Sequence, residues 1–231
     1  MKKVIVVMPA YCAEKTLAAT VARLPKIYDE IIVCDDASGD RTVHVSEILG
    51  LTTLRHPHNK GYGGNQKTLY TAALKTEAEI VIMIHPDNQY ATEELPAIIR
   101  MIQEEKADFI LGSRMARALE NGMPWWKFVG NRFLTKLQNL AYDTNLSEFH
   151  SGLRAFRSDI LAKMPYNTFS DDFVFDSECI AWLVSQKANI KEWPVHCYYH
   201  KDSSSIGLAR SMRYGLASLK VLLKFKRGNY N

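Results

Sequence analysis

Nothing in this chain approaches the roughly 18–20 consecutive apolar residues that a membrane span needs. At the amino terminus the apolar run before Pro9 is only about five residues, too short for a secretory signal, and it reads as a strand. Cysteine is sparse. Cys12, Cys34, Cys179 and Cys197 form no CxxC pair, which argues against a zinc site or a disulfide scaffold and for a reduced, cytosolic protein. Neither GxxxxGK[ST] nor GxGxxG occurs, so the two commonest phosphate loops are missing. There is no internal repeat, no low-complexity segment and no nucleic-acid recognition motif, and no nucleic-acid partner is expected. Acidic residues stop at Asp202, after which six basic ones follow: Arg210, Arg213, Lys220, Lys224, Lys226 and Arg227. The net charge of +4 therefore belongs to the C-terminal tail. What remains is ordinary for a globular chain of 231 residues, 47% hydrophobic and 23% charged, and long enough to bury a sizeable core.

The first half alternates short β-branched runs with helical patterns. Strands are expected at Val4–Met8, Glu30–Cys34, Leu51–Arg55, Ile80–Ile84 and from Phe109 to Leu111, with Pro9 and Ala10 turning the chain after the first. Helices are expected at Thr16–Leu24, Thr42–Leu49, Gln66–Lys75 and Glu93–Glu105, the third of them preceded by a glycine-rich loop, Asn59–Asn65. This βαβα series predicts an α/β fold with a mostly parallel sheet covered by helices, binding its ligand at the carboxyl ends of the strands. The second half is less regular. Trp125–Tyr142, Phe175–Gln186 and Leu208–Phe225 read as helices, and Ser151–Phe156 and Ile190–Tyr199 as strands.

Three clusters carry chemistry. Asp35 and Asp36 end a buried strand, where a carboxylate either accepts hydrogen bonds from a ribose or base or caps the next helix. The glycine-rich loop either cradles phosphate or is a flexible turn. His85, Asp87 and Gln89 alternate after a buried strand, so in extended chain they point to one side. Asp87 and Gln89 offer hard oxygens for Mg²⁺ or Mn²⁺, and His85 suits Mn²⁺ better; the competing reading is a turn shaped by Pro86. Asp171, Asp172, Asp176 and Glu178 add an acidic group that holds either a catalytic base or helix-capping carboxylates. Trp125 and Trp126 suit helix packing or an apolar lip for an acceptor.

Taken in order, these pieces resemble a family 2 glycosyltransferase of the GT-A fold, in its polyprenyl- and dolichyl-phosphate sugar transferase branch. Val6 to Tyr11 is similar to the family's strand-Pro-x-Tyr opening, and Val33 to Thr42 to its V-D-D-x-S-x-D-x-T. Asn59-x-Gly61-x-Gly63 matches the loop that follows, and His85-Pro86-Asp87-Asn88-Gln89 stands at its D-x-D. Gly112-Ser113-Arg114, Ser151-Gly152-Leu153-Arg154, Phe175-x-x-Glu178 and Trp193-Pro194-Val195 resemble the later motifs. The resemblance runs from about residue 3 to 206 and implies a glycosyltransferase domain over 1–206, with 207–231 as a basic amphipathic tail.

The resemblance also implies roles. Pro9, Tyr11, Glu14, Asp36, Gly61 and Asp87 would bind a UDP- or GDP-linked sugar. Asp87, with Gln89 and His85, would hold Mg²⁺ or Mn²⁺. Arg114, Ser151, Arg154, Glu178 and His200 would face the acceptor, a lipid phosphate or a glycan hydroxyl. Asp87, Arg114, Glu148 and Asp172 are the catalytic candidates for transfer with inversion, in cell-envelope or polysaccharide synthesis. The chain departs from the pattern where His85 replaces the first Asp of D-x-D, where Cys12 and Ala13 replace Asn-Glu, and at Glu148, His200 and Ser205-Ile206. A GT-A-like nucleotide-binding or scaffold protein is the alternative. In the tail, Leu208, Met212, Leu216, Leu219 and Leu223 fall at helical spacing among basic residues. That suits a helix on the inner face of the cell membrane, or one packed on the domain with a solvated basic face.

Overall fold

The computed structural model describes residues 3–198 and 208–230. Its strands are β1 (Val4–Ala10), β2 (Glu30–Asp35), β3 (Thr52–Arg55), β4 (Ile80–Met83), β5 (Phe109–Ser113), β6 (Arg154–Arg157) and β7 (Ile190–Pro194). Its helices are α1 (Leu17–Arg23), α2 (Thr42–Ile48), α3 (Gly61–Lys75), α4 (Leu95–Gln103), α5 (Trp125–Tyr142), α6 (Ser158–Lys163), α7 (Phe175–Ser185) and α8 (Leu208–Lys226). The strands form one sheet in the order β3-β2-β1-β4-β6-β5-β7. Every pair is parallel except the two made by β6, which runs antiparallel to β4 and β5.

β1 is buried along its whole length, as a central strand covered on both faces must be. Its side chains alternate between two cores. Ile5 and Val7 join Leu69, Tyr70, Ile180 and Val221 on the side of α3, α7 and α8. Val4, Val6 and Met8 join Leu17, Leu95, Ile98 and Ile102 on the side of α1 and α4. The result is a three-layer α/β/α arrangement.

Three differences from the sequence reading matter for the site. Pro9 and Ala10 continue β1 instead of turning it. β4 pairs with β1 only as far as Val7, so at Pro9 the missing N–H costs no ladder bond on that side. The glycine-rich segment is the first turn of α3, not a loop before it. A Cβ on Gly63 would lie 2.3 Å from the Ser170 carbonyl oxygen, and one on Gly61, whose φ is +84°, 2.6 Å from that of Asp171. Glycine here lets the helix start press against the 170–171 backbone. Finally, β6 is reversed, so its first residue, Arg154, pairs with Met83 and Leu111 near the carboxyl ends of β4 and β5. The Ser151–Arg154 segment is thereby delivered to the same sheet edge as His85 and Arg114.

Candidate active site

Three loops at this edge are tied together by the polar residues of the Asp35–Thr42 stretch. Ser38 Oγ accepts the Cys12 N–H at 2.8 Å, and Thr42 Oγ1 accepts the Ala13 N–H at 2.7 Å. Asp40 accepts from Thr42 N, Thr42 Oγ1 and Glu14 N, and these bonds hold its pKa below the ordinary value against the opposing effect of burial. Glu14 returns a bond, accepting the Arg41 N–H at 2.9 Å. Asp36 is buried and accepts from His56 Nδ1 at 2.7 Å, Lys60 N at 2.8 Å and Gly61 N at 3.0 Å. Its carboxylate thus serves the orphan N–H groups at the start of α3. Beside it lies a cavity of about 260 Å³ lined by Ala37, Ser38, Arg55, His56 and Pro57. Pro9 is buried in β1, while Tyr11 is 61% exposed over the edge.

His85 and Asp87 follow β4. The His85 ring stacks on Tyr62 with centroids 5.5 Å apart, and its Nε2 lies 3.1 Å from the Tyr62 hydroxyl. That hydroxyl donates to Asp176 Oδ2 at 2.8 Å, so it accepts the proton of His85 Nε2. Removal from water lowers the His85 pKa, with Asp87 and Asp176 opposing and Arg154 and Arg114 assisting. The ring is then neutral with its lone pair on Nδ1. Gly152 makes room for it: a Cβ there would lie 2.2 Å from His85 Cδ2. Asp87 is half-buried, and its Oδ1 accepts the Gln89 N–H at 3.1 Å. Gln89 turns the other way, its side-chain oxygen accepting from the Cys197 thiol at 3.6 Å.

Arg114 follows β5 and is locked to Glu148. Its backbone N–H donates to Glu148 Oε2 at 2.9 Å, its Nε to Oε1 at 3.1 Å, and a terminal guanidinium nitrogen to Oε1 as well. Asn131 on α5 adds a bond to Oε1 at 2.9 Å. Burial alone would raise the Glu148 pKa; the Arg114 charge and hydrogen bonds together bring it below the ordinary value. Glu192 of β7 in turn accepts Ser147 N at 2.7 Å and Glu148 N at 3.0 Å, fixing the segment that carries Glu148.

The sequence model of "Glycosyl transferase family 2" matches residues 5–164. The chain belongs to glycosyl transferase family 2. An uncharacterized protein of Methanocaldococcus jannaschii is 31% identical over 89% of this chain and 85% of its own length. A UDP-N-acetylglucosamine–dolichyl-phosphate N-acetylglucosaminyltransferase of Methanococcus voltae is 27% identical over 98% of this chain and 97% of its own. Among solved structures, glucosyl-3-phosphoglycerate synthase from Mycobacterium tuberculosis, in complex with Mn²⁺, UDP and phosphoglyceric acid, superposes with a TM-score of 0.74. At 15% identity, covering 97% of this chain and 78% of that one, it shows the GT-A fold.

Within this family 2 glycosyltransferase the acidic group separates into distinct jobs. Asp176 is ion-paired with buried Arg154 and also accepts from Gln66 Nε2 at 3.0 Å. Asp171 pairs with Lys67 at 2.6 Å. Glu178 accepts the Ser170 N–H at 2.6 Å and lies 3.5 Å from Lys224. Asp172 is exposed and accepts the Phe173 N–H at 2.7 Å. Ser151 is buried against the Tyr90 hydroxyl at 3.3 Å. His200 lies outside the described residues.

Among the described residues no three His, Cys, Asp or Glu side chains gather as a metal cage. A Mg²⁺ or Mn²⁺ ion shared with substrate phosphates needs only one or two protein carboxylates. Asp87 fits that requirement, and neutral His85 stands two residues away as a nitrogen donor.

His56, Tyr62, Tyr90, Asn131 and Glu192 were not singled out by sequence. Each acts through a partner far along the chain, and only His56, directly after β3, carries a positional signal.

Proposed function

We propose that the protein transfers a sugar, with inversion, from a UDP- or GDP-linked donor to a polyprenyl- or dolichyl-phosphate acceptor in glycan synthesis. The observation that carries the acceptor reading is the state of Glu148. A hydroxyl acceptor needs a carboxylate able to take its proton, whereas a phosphate is already ionised. Glu148, the buried carboxylate on the acceptor side, is held by Arg114 and Asn131 through Oε1 and by Arg114 through Oε2, and its pKa is lowered. It positions a guanidinium instead of serving as a base. The dolichyl-phosphate transferase of Methanococcus voltae supports the same acceptor class.

On the donor side, Asp87 would hold a divalent cation, with His85 as a second donor and Gln89 supporting the turn. When bound, such a cation neutralises charge developing on the leaving diphosphate. The chain supplies the rest. Asp36 fixes the start of α3 beside the cavity at Arg55 and His56, where the nucleoside would sit. Tyr11 covers the β1 end. Arg114, clamped in one orientation, offers positive charge to the acceptor phosphate or the leaving group without reorganising during transfer. Ser151 and Arg154 hold the edge that faces them.

The test is calorimetric titration with UDP and GDP, each with and without Mn²⁺, followed by a transfer assay using undecaprenyl or dolichyl phosphate. Metal-dependent binding of one nucleotide, lost in Asp87→Ala, is expected, together with sugar on the lipid phosphate. If neither nucleotide binds under any metal condition, the scaffold alternative takes over. Transfer only to a glycan hydroxyl would refute the acceptor.

A further inference from the structure

Tyr214, Ser218, Val221, Leu222 and Phe225 are spaced i, i+4, i+7, i+8 and i+11 along α8, which puts them on one face of the helix. The later residues hold α8 on the domain. Val221 and Leu222 are buried in the core that contains Ile180, and the Phe225 ring meets Tyr142 edge to face at 4.7 Å. Beyond the helix the Tyr230 carbonyl accepts from Ser185 Oγ at 2.6 Å. The earlier residues are polar. Ser218 is buried with its Oγ 3.2 Å from that of Ser177 on α7, and Ser177 Oγ lies 3.2 Å from the Tyr214 hydroxyl. A buried hydroxyl costs stability unless it is hydrogen-bonded, so this seam fixes how α8 is turned against α7.

The seam leads to Arg114. Tyr214 is half-buried, its hydroxyl lies 2.7 Å from His150 Nδ1, and the two rings meet edge to face with centroids 5.3 Å apart. His150 Nε2 is buried and has no hydrogen-bond partner among the described residues, so the ring is held through Tyr214. The His150 carbonyl accepts from a terminal nitrogen of Arg114 at 2.8 Å, and that same nitrogen donates to Glu148 Oε1. Both N–H groups of one nitrogen are thus directed by the 148–150 segment, and together they set the tilt of the guanidinium plane. The segment is anchored before and after His150. Glu192 accepts from Ser147 N and Glu148 N, and Gly152 N donates to the Tyr90 hydroxyl at 2.6 Å. Between those anchors His150 is set by its side-chain bond to Tyr214.

We propose that Tyr214 is a positioning residue for transfer: by orienting His150 it fixes the His150 carbonyl, and through that carbonyl the Arg114 guanidinium. A second acceptor on the same nitrogen limits rocking of the guanidinium about the Glu148 carboxylate, so its charge is aimed before substrate arrives. This deepens the function proposed above and rests on its assignment of Arg114 to the phosphate of the acceptor or of the leaving group. Loss of orientation and loss of fold separate cleanly here. Val221, Leu222 and Phe225 carry the packing of α8, so removing one hydroxyl from Tyr214 leaves the helix in place.

The experiment compares the full chain with Tyr214→Phe in two readouts. In nitrogen–proton NMR spectra the Arg114 Nε–H resonance, assigned by its absence from Arg114→Lys, should shift or exchange faster with water in Tyr214→Phe. Circular dichroism and the calorimetric affinity for UDP or GDP should stay as in wild type. In transfer to undecaprenyl phosphate, kcat should fall by about tenfold to a hundredfold with KM for the donor unchanged. In an Arg114→Lys background the same substitution should cost less than about twofold, because the group it positions is gone. His150→Leu should match Tyr214→Phe, and His150→Asn, whose amide reaches where Nδ1 stands, should recover most of that loss. An unshifted Arg114 resonance overturns the proposal, and so do equal losses in both backgrounds. The resonance is read without substrate. If wild type transfers nothing to a lipid phosphate, the acceptor reading fails, while a shifted resonance still upholds the positioning of Arg114.

Discussion

Arg114 and Glu148 show what a buried ion pair does when it is surrounded by donors. Arg114 contributes its own backbone N–H to the same carboxylate that holds its guanidinium, and it reaches on to the His150 carbonyl at 2.8 Å. The side chain is thus fixed at both ends. Glu148→Gln would place an amide N–H₂ among donors and leave the guanidinium without its counter-charge. Breaking a buried pair from one side typically costs on the order of 3–5 kcal/mol. The expected outcome in urea unfolding is a loss of that order, with transfer falling further than folded protein does. A stable, fully active Glu148→Gln would show that Arg114 needs no clamp.

At the scale of elements, the start of α3 is the joint that holds the proposed donor side. Asp36 satisfies its first N–H groups, Gly63 N donates to the Asp171 carbonyl at 2.8 Å, and Tyr62 reaches from its first turn to His85 and Asp176. The helix cannot back away from the 170–171 segment without breaking these bonds. Gly63→Ala puts a Cβ 2.3 Å from the Ser170 oxygen and 2.8 Å from Phe175 Cβ, contacts with backbone and a buried side chain that cannot swing aside. Overpacking of this kind costs roughly 1–3 kcal/mol or more. A lowered denaturation midpoint is expected, with nucleotide binding weakened because Asp36 and His85 shift with the helix. Gly39→Ala, whose added Cβ would meet nothing within 4 Å, is the control expected to change neither.

For the whole molecule, acid is the condition that opposes the packing around His150. His150 is removed from water and its pKa is pushed down to about 4, with Glu148 opposing and Arg114 and Arg154 adding to the effect. Its Nδ1 lies 2.7 Å from the Tyr214 hydroxyl, which ties the segment before β6 to α8. Above the ordinary histidine pKa of 6.5 the ring is neutral folded or unfolded. As pH falls below 6.5, the unfolded chain takes up a proton that the folded chain refuses until about 4. Stability should fall across that window by up to about 3 kcal/mol. His150→Gln should flatten this part of the stability–pH curve, and an unchanged slope in the variant would assign it to other groups.

By itself the sequence determined the run of elements and where chemistry would gather. Alternation of β-branched strands with amphipathic helices is a local periodicity, and it placed β1, β2 and β4, the bounds of α5, and the polar clusters at the strand ends. Some turn and motif bonds are local, such as Asp40 accepting from Thr42 N and Oγ1 and Asp35 accepting from Ser38 N, so that part of the pattern is written in the sequence. Only the tertiary structure decided the partners. Arg114 finds Glu148 34 residues away, and Tyr62 finds Asp176 114 residues away, distances over which no spacing rule operates. The same holds for the direction of β6, which depends on its neighbours β4 and β5, and for the glycines of α3, which answer to backbone more than 100 residues downstream. The leucine stripe of α8 is periodic in sequence, but its periodicity names a face without saying what covers it. Packing buried Ser218, Val221 and Leu222 instead and turned Met212, Leu216 and Leu223 outward, because α7 and α5 had already claimed the other side of the helix.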